Sequence, residues 1–154
     1  MPFVYTTNLS EVRALAEKQA RMAGLPDDRV IDFVIAIGEI AGNTVRHAQS
    51  AGSMEIWSNG DEVICEIRDK GFITDPLAGS HPPPPDANGG HGLWLVHQVC
   101  DRVELRSDKN GTVIRLYMSL RLGAAARRLS RQALLPRPLG CSLGANRSLL
   151  VSNA

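Results

Sequence analysis

From Val30 to Ala48 the chain reads VIDFVIAIGEIAGNTVRHA, and Val30, Phe33, Val34, Ile37, Ala41, Thr44, Val45 and Ala48 recur at three- and four-residue spacings. That period predicts one long helix with a continuous core face. An earlier helix is predicted from Leu9, Val12, Leu15, Ala16, Ala20 and Ala23. Asn8-x-x-Glu11 fits a capping box at its start, and Gly24 ahead of Leu25-Pro26 fits its end. Asp27 or Asp28 is expected to cap the long helix and to supply first-turn acid against its dipole. The β-branched and aromatic run Phe3–Thr7 predicts a short strand before all of this.

The second half changes period. SMEIWS and EVICEIR flank Asn59-Gly60, which predicts a hairpin. Val63, Cys65 and Ile67 alternate with Glu62, Glu66 and Arg68, so one face should pack on helices and the other be mostly wet, although Ile64 interrupts the polar phase. Asp69 closes that strand. Residues 72–90 then form a long irregular stretch with five prolines, of the length usually found in a lid or a disordered loop. Gly89-Gly90-His91-Gly92 leads into LWLVHQVCD, whose Leu93, Val96, Val99 and Cys100 have helical spacing. Strands are predicted around Val103, Leu105 and Ser107, and around Thr112, Ile114, Leu116, Met118 and Leu120, joined by Asn110-Gly111. The fold class is therefore α+β, a two-layer sandwich of a mixed, mostly antiparallel sheet covered on one face by helices.

At 154 residues the chain has the length of one domain. It is 44% hydrophobic and 21% charged, and no apolar run reaches the ~18 residues of a membrane span. No basic segment followed by an apolar stretch and cleavage site opens it, so the cytoplasm is the expected compartment. Cys65, Cys100 and Cys141 show neither disulfide nor zinc spacing and are expected as reduced thiols. The net charge of +1 hides an asymmetry: residues 121–154 hold six Arg and no Asp, Glu or Lys, leaving 11 basic against 16 acidic residues before them. With the only basic cluster in the tail rather than on a folded face, direct nucleic-acid binding is not expected. The domain is placed at 1–120 and the Arg-rich remainder is read as a poorly ordered tail.

Chemistry concentrates at three places. Glu39, Asn43 and His47 stand at i, i+4 and i+8 and form one stripe beside the core face. An acid, a neutral amide oxygen and an imidazole there could serve as base, hard-cation ligand and polar contact, or could simply be solvated. His47 is expected to be a hydrogen-bonded structural residue closing the helix rather than a catalytic one. A glycine-rich lead into a helix exposes N–H groups suited to phosphate, or serves only as a hinge.

In this order, Glu39-x-x-x-Asn43-x-x-x-His47, Asp69-x-Gly71, Gly90-x-Gly92-Leu93 and Gly111-Thr112 resemble the N, G1, G2 and G3 boxes of the Bergerat-type ATP-binding superfamily of gyrase, histidine-kinase catalytic domains and heat-shock chaperones. Length and the phrase GGHGLWLVHQVCD are most similar to bacterial anti-sigma-factor serine/threonine kinases, over residues 3–120. The resemblance implies ATP and Mg²⁺ as cofactors, with Glu39 as general base and Asn43 as magnesium ligand. It also implies Asp69, supported by Thr112, as reader of the adenine amine. Gly71, Gly90, Gly92 and Leu93 would line the nucleotide, and His91 and Lys70 are candidate phosphate contacts. The implied partners are a STAS-type anti-sigma-factor antagonist, phosphorylated on Ser or Thr, a sigma factor, and a second copy of the chain.

Two features depart from that family. Ile73, after Phe72, stands where a second G1 glycine is usual, and side chains there would crowd the approach to nucleotide. The Arg-rich tail has no family counterpart. A binding module of the same fold that transfers no phosphate is the alternative, and a histidine-kinase fragment is disfavoured by the lack of a long dimerisation helix carrying a phosphoacceptor His.

Overall fold

In the computed structural model, residues 1–48, 50–75, 77–85 and 90–121 are described. Apart from Arg121, the predicted tail lies outside them. Asn8 opens α1 (Leu9–Met22), its side-chain oxygen accepting from the Glu11 N–H at 3.4 Å and from the Ser10 hydroxyl at 2.6 Å. The helix ends where Gly24 turns, with the Leu25 N–H returning to the Ala20 carbonyl at 3.1 Å. Helix α2 (Asp27–Asn43) follows, capped by Pro26 rather than by an Asp. Asp27 and Asp28 sit in its first turn, which suits acids because proline presets the first turn and the exposed N–H groups carry positive partial charge.

The long predicted helix is not uniform. At Thr44 it widens into a π-helical turn, Thr44–Ala48, a local insertion that apolar spacing cannot reveal because it leaves the burial pattern nearly unchanged. Strands β1 (Phe3–Tyr5), β2 (Gly52–Ser58), β3 (Glu62–Asp69), β4 (Arg102–Asp108) and β5 (Gly111–Ser119) form one sheet ordered β1-β2-β3-β5-β4. Helix α3 (His91–Val99) precedes β4. Every strand pairing is antiparallel, so the expected α+β sandwich stands with its sheet antiparallel throughout.

Alternation sends Met54, Val63, Cys65, Ile67, Ile114, Leu116 and Met118 inward onto Val12, Ala16, Phe33, Ile37, Ile40 and Val96 of the helices. Burial pushes the Cys65 thiol well up and the Cys100 thiol up to about 12, so both stay protonated and pack as small hydrophobes. The outer face is drier at its centre than the alternation predicts. Glu66 is 6% exposed there and accepts from Arg68 Nε at 2.8 Å and from Arg115 Nε at 2.9 Å. Burial alone would raise its pKa, but those arginine hydrogen bonds outweigh it and hold the carboxyl low. Ile64 pairs across the sheet with Tyr117, whose ring lies 3.4 Å under the Arg102 guanidinium. The interruption of the polar phase at Ile64 thus marks a small apolar patch roofed by an arginine.

The two layers are also tied by charge. Arg29, 3% exposed near the start of α2, donates to the Val99 carbonyl at 3.0 Å and to Asp101 at 2.6 Å, and stands 3.5 Å from Asp32. Asp101 in turn accepts from the Ser119 N–H at 2.7 Å. One guanidinium therefore joins α2, the end of α3 and the end of β5.

Candidate functional site

The last turns of α2, the end of β3 and the start of α3 meet around a cleft of ≈ 390 Å³. Asn43, Asp69, Gly71, Gly90, Gly92, Leu93 and Thr112 all line it. They come from separate stretches of the chain, and the sheet register brings them together by setting Asp69 opposite Thr112. Its walls also include Ile40, Phe72, Ile73 and Ile114. An apolar slot with a few fixed polar groups suits a planar heterocycle.

Asp69 is held at both oxygens. Oδ1 accepts from the Gly71 N–H at 2.7 Å, and Oδ2 accepts from the Thr44 hydroxyl at 2.7 Å. Short bonds of this kind to a carboxylate are the strong ones, and they fix its plane. Thr112 donates to the Gly71 carbonyl at 2.9 Å and lies 2.7 Å from the Ser107 hydroxyl. Ser107 also accepts from the Ile73 N–H at 2.8 Å. The loop after β3 is thereby stitched to β4 and β5. Ile73, expected to crowd the cleft, packs against the core while forming part of the wall, and Phe72 beside it is 62% exposed.

Glu39 occupies a different place from its neighbours. It is not among the residues lining the cleft, but a methyl group built on Gly92 would fall 2.6 Å from its Oε2. Its carboxylate therefore rests against the start of α3. Gly90 caps that helix in the left-handed conformation, φ 84°, with no side-chain hydrogen bond to the first turn. This conformation costs glycine little and leaves the first-turn N–H groups unclaimed by a capping side chain. Gly92→Ala should fold, because the obstructing atom ends a flexible side chain. The added methyl would displace the Glu39 carboxylate from the start of α3.

Asn43 Oδ1 accepts from Arg46 Nη2 at 2.9 Å. An amide oxygen has a second lone pair, and Arg46 itself is exposed. Among the described residues no group of three His, Cys, Asp or Glu could hold a metal ion. The donor set suits a hard cation that would bring most of its oxygen ligands with it and take one neutral protein ligand, Asn43. His47, on the same stripe as Asn43, lies on the cleft wall and is exposed. His91 and Lys70 are exposed and outside the cleft lining.

Nothing in the motifs singles out the inward hydroxyls of Thr44 and Ser107, which the structure sets against Asp69 and Thr112. Ser107 carried a usable signal, a polar residue on the buried phase of β4 opposite Thr112. Thr44 carried little, since threonine passes for core at that position.

Residues 5–118 match the histidine kinase-like ATPase domain. The serine-protein kinase RsbW of Halalkalibacterium halodurans is 30% identical over 115 residues, covering 67% of this chain and 70% of that protein. Among solved structures, the RsbU and RsbW domains of a Mycobacterium tuberculosis protein superpose with a TM-score of 0.53 at 18% identity, over 77% of this chain and 32% of that one. The catalytic domain of the histidine kinase ThkA does so with a TM-score of 0.50 at 15% identity, over 77% and 95% respectively. Both share the fold. With residues 5–118 matched in this way, the chain belongs to the histidine kinase-like ATPase domain family.

Proposed function

We propose that this chain is an ATP-dependent serine/threonine protein kinase and anti-sigma factor, which phosphorylates a STAS-type antagonist and sequesters a sigma factor in the cytoplasm. The observation that carries this reading is the convergence of Asn43, Asp69 and the Gly90–Gly92 helix start on one cleft, with Glu39 beside them. The likeness to RsbW supports the choice of a hydroxyl on a protein as acceptor. Residues 1–120 form the working domain in this reading, and a homodimer is the expected assembly.

Each residue has a task. Asp69 accepts from the adenine amine, with Thr112 holding the Gly71 loop beneath the base. Asn43 would hold Mg²⁺, which neutralises phosphate charge when bound. The N–H groups at the start of α3, with the helix dipole behind them, face the phosphates. Glu39 takes the proton from the attacking hydroxyl as its oxygen bonds to the γ-phosphorus, the bond from that phosphorus to the β–γ bridging oxygen breaks, and ADP departs. Positioning and charge stabilisation supply most of the acceleration.

Calorimetry with ATP and Mg²⁺ tests the reading. Binding in the micromolar range is expected, followed by transfer of labelled phosphate to a Ser or Thr of a cognate antagonist. Absence of binding would sink the nucleotide assignment. Binding without transfer would favour a non-catalytic module, the reading that Ile73 in place of a second glycine supports.

A further inference from the structure

We infer that Thr44 is a positioning residue for nucleobase selection: its hydroxyl orients Asp69 so that the cleft prefers purines carrying a 6-amino group over those carrying a 6-oxo group. The inference rests on the nucleotide reading above and names the residue that gives that site its selectivity.

Thr44 is 1% exposed, and its orientation is set from two sides. A methyl built on Gly52 would meet Thr44 Cγ2 at 2.9 Å, beside the Tyr5 ring, so the threonine methyl is packed against β2. The hydroxyl is left to face Asp69. It has one hydrogen, which the Ile40 carbonyl at 3.3 Å and Asp69 Oδ2 at 2.7 Å can both accept, with the buried Tyr5 hydroxyl beside it. The shorter contact is the charged one, so the proton lies toward Asp69. A threonine inside a regular helix commonly returns its hydroxyl to the carbonyl four residues back. Here the π-helical turn begins at Thr44 itself, and the long bond to Ile40 is the subordinate one.

With the Gly71 N–H on the other oxygen, Asp69 is held from opposite sides as a pure acceptor. Each oxygen keeps a lone pair for the base. An amine facing such an acceptor gains a charge-assisted hydrogen bond, whereas a carbonyl oxygen facing it is repelled and leaves the carboxylate unmatched. Without the Thr44 hydroxyl, Asp69 keeps only the Gly71 N–H bond and is free to turn from the amine, so the gain that separates the two edges shrinks.

The test is calorimetric titration of wild type, Thr44→Val, Thr44→Ala and Thr44→Ser with ATP and with inosine triphosphate at fixed Mg²⁺, alongside thermal melts. The ratio of the two affinities is expected to fall about tenfold in Thr44→Val, mainly through weaker ATP binding, and to be largely restored in Thr44→Ser. Should the valine variant fail to fold, the alanine variant gives the same reading. An unchanged ratio in the folded variant that lacks the hydroxyl overturns the inference, including the case where both affinities drop together, because a purely structural role moves both alike. Wild type that binds ATP without preferring it over inosine triphosphate also overturns it. Wild type that binds neither overturns the nucleotide site itself, a distinguishable result.

Discussion

Glu39→Gln is expected to lower phosphate transfer by about 10²–10⁴-fold, the usual contribution of a general base, while ATP affinity changes by less than about twofold. Glutamine keeps the size of the side chain, so the contact with Gly92 and the packing of α2 on α3 persist. What disappears is a group able to take a proton from the incoming hydroxyl. Since Glu39 lies outside the cleft lining, nucleotide binding has no need of its charge. Single-turnover transfer to a cognate antagonist, measured beside calorimetry, checks both halves. Transfer at the wild-type rate would remove Glu39 from the mechanism, and a parallel loss of ATP binding would make it a nucleotide ligand instead.

Arg29→Ala is expected to cost about 3–5 kcal/mol of folding stability, the range for breaking a buried ion pair by removing one partner. The substitution withdraws the guanidinium shared by Asp32 and Asp101 and the donor to the Val99 carbonyl. Coulomb energy is only part of the loss, because Asp32 is nearly buried and water reaches it poorly. The intact cluster is not ideal either: Arg29 Nε is buried without a hydrogen-bond partner. Urea unfolding reads the effect as a midpoint lower by roughly 1–5 M, given the usual slopes for small domains. A shift below about 0.3 M would mean that the cluster contributes little beyond its packing. Because the arginine anchors the end of α3 whose start borders the cleft, a folded variant should also bind nucleotide less tightly.

The apolar period from Val30 onward made α2 legible in its residues alone, since burial of one helical face is a local property of spacing. The same holds for the hairpin at Asn59-Gly60 and for the alternation in β3, β4 and β5. What that alternation could not report was the state of the outer face. Glu66 reads as wet from its phase, and only the cross-strand arrival of Arg115 and Arg68 covers it. Asp27 and Asp28 were legible as first-turn acids but not as non-caps, because either Asp or the preceding Pro26 satisfies the local rules.

The chemistry divides the same way. The identity and order of Glu39, Asn43, Asp69, Gly90, Gly92 and Thr112 were visible in the chain, and with them the superfamily, because each belongs to a short motif whose spacing is local. Their convergence was not visible, since it depends on a sheet register that sets Asp69 against Thr112 and on a helix packing that sets Glu39 against Gly92. Nor was the hydroxyl of Thr44, which looks like core until the π-helical turn and Asp69 give it a direction. Periodicity encodes which face is buried, a one-dimensional fact. Which polar atoms meet within a buried layer depends on distances between residues far apart along the chain, and those exist only once the layers have packed.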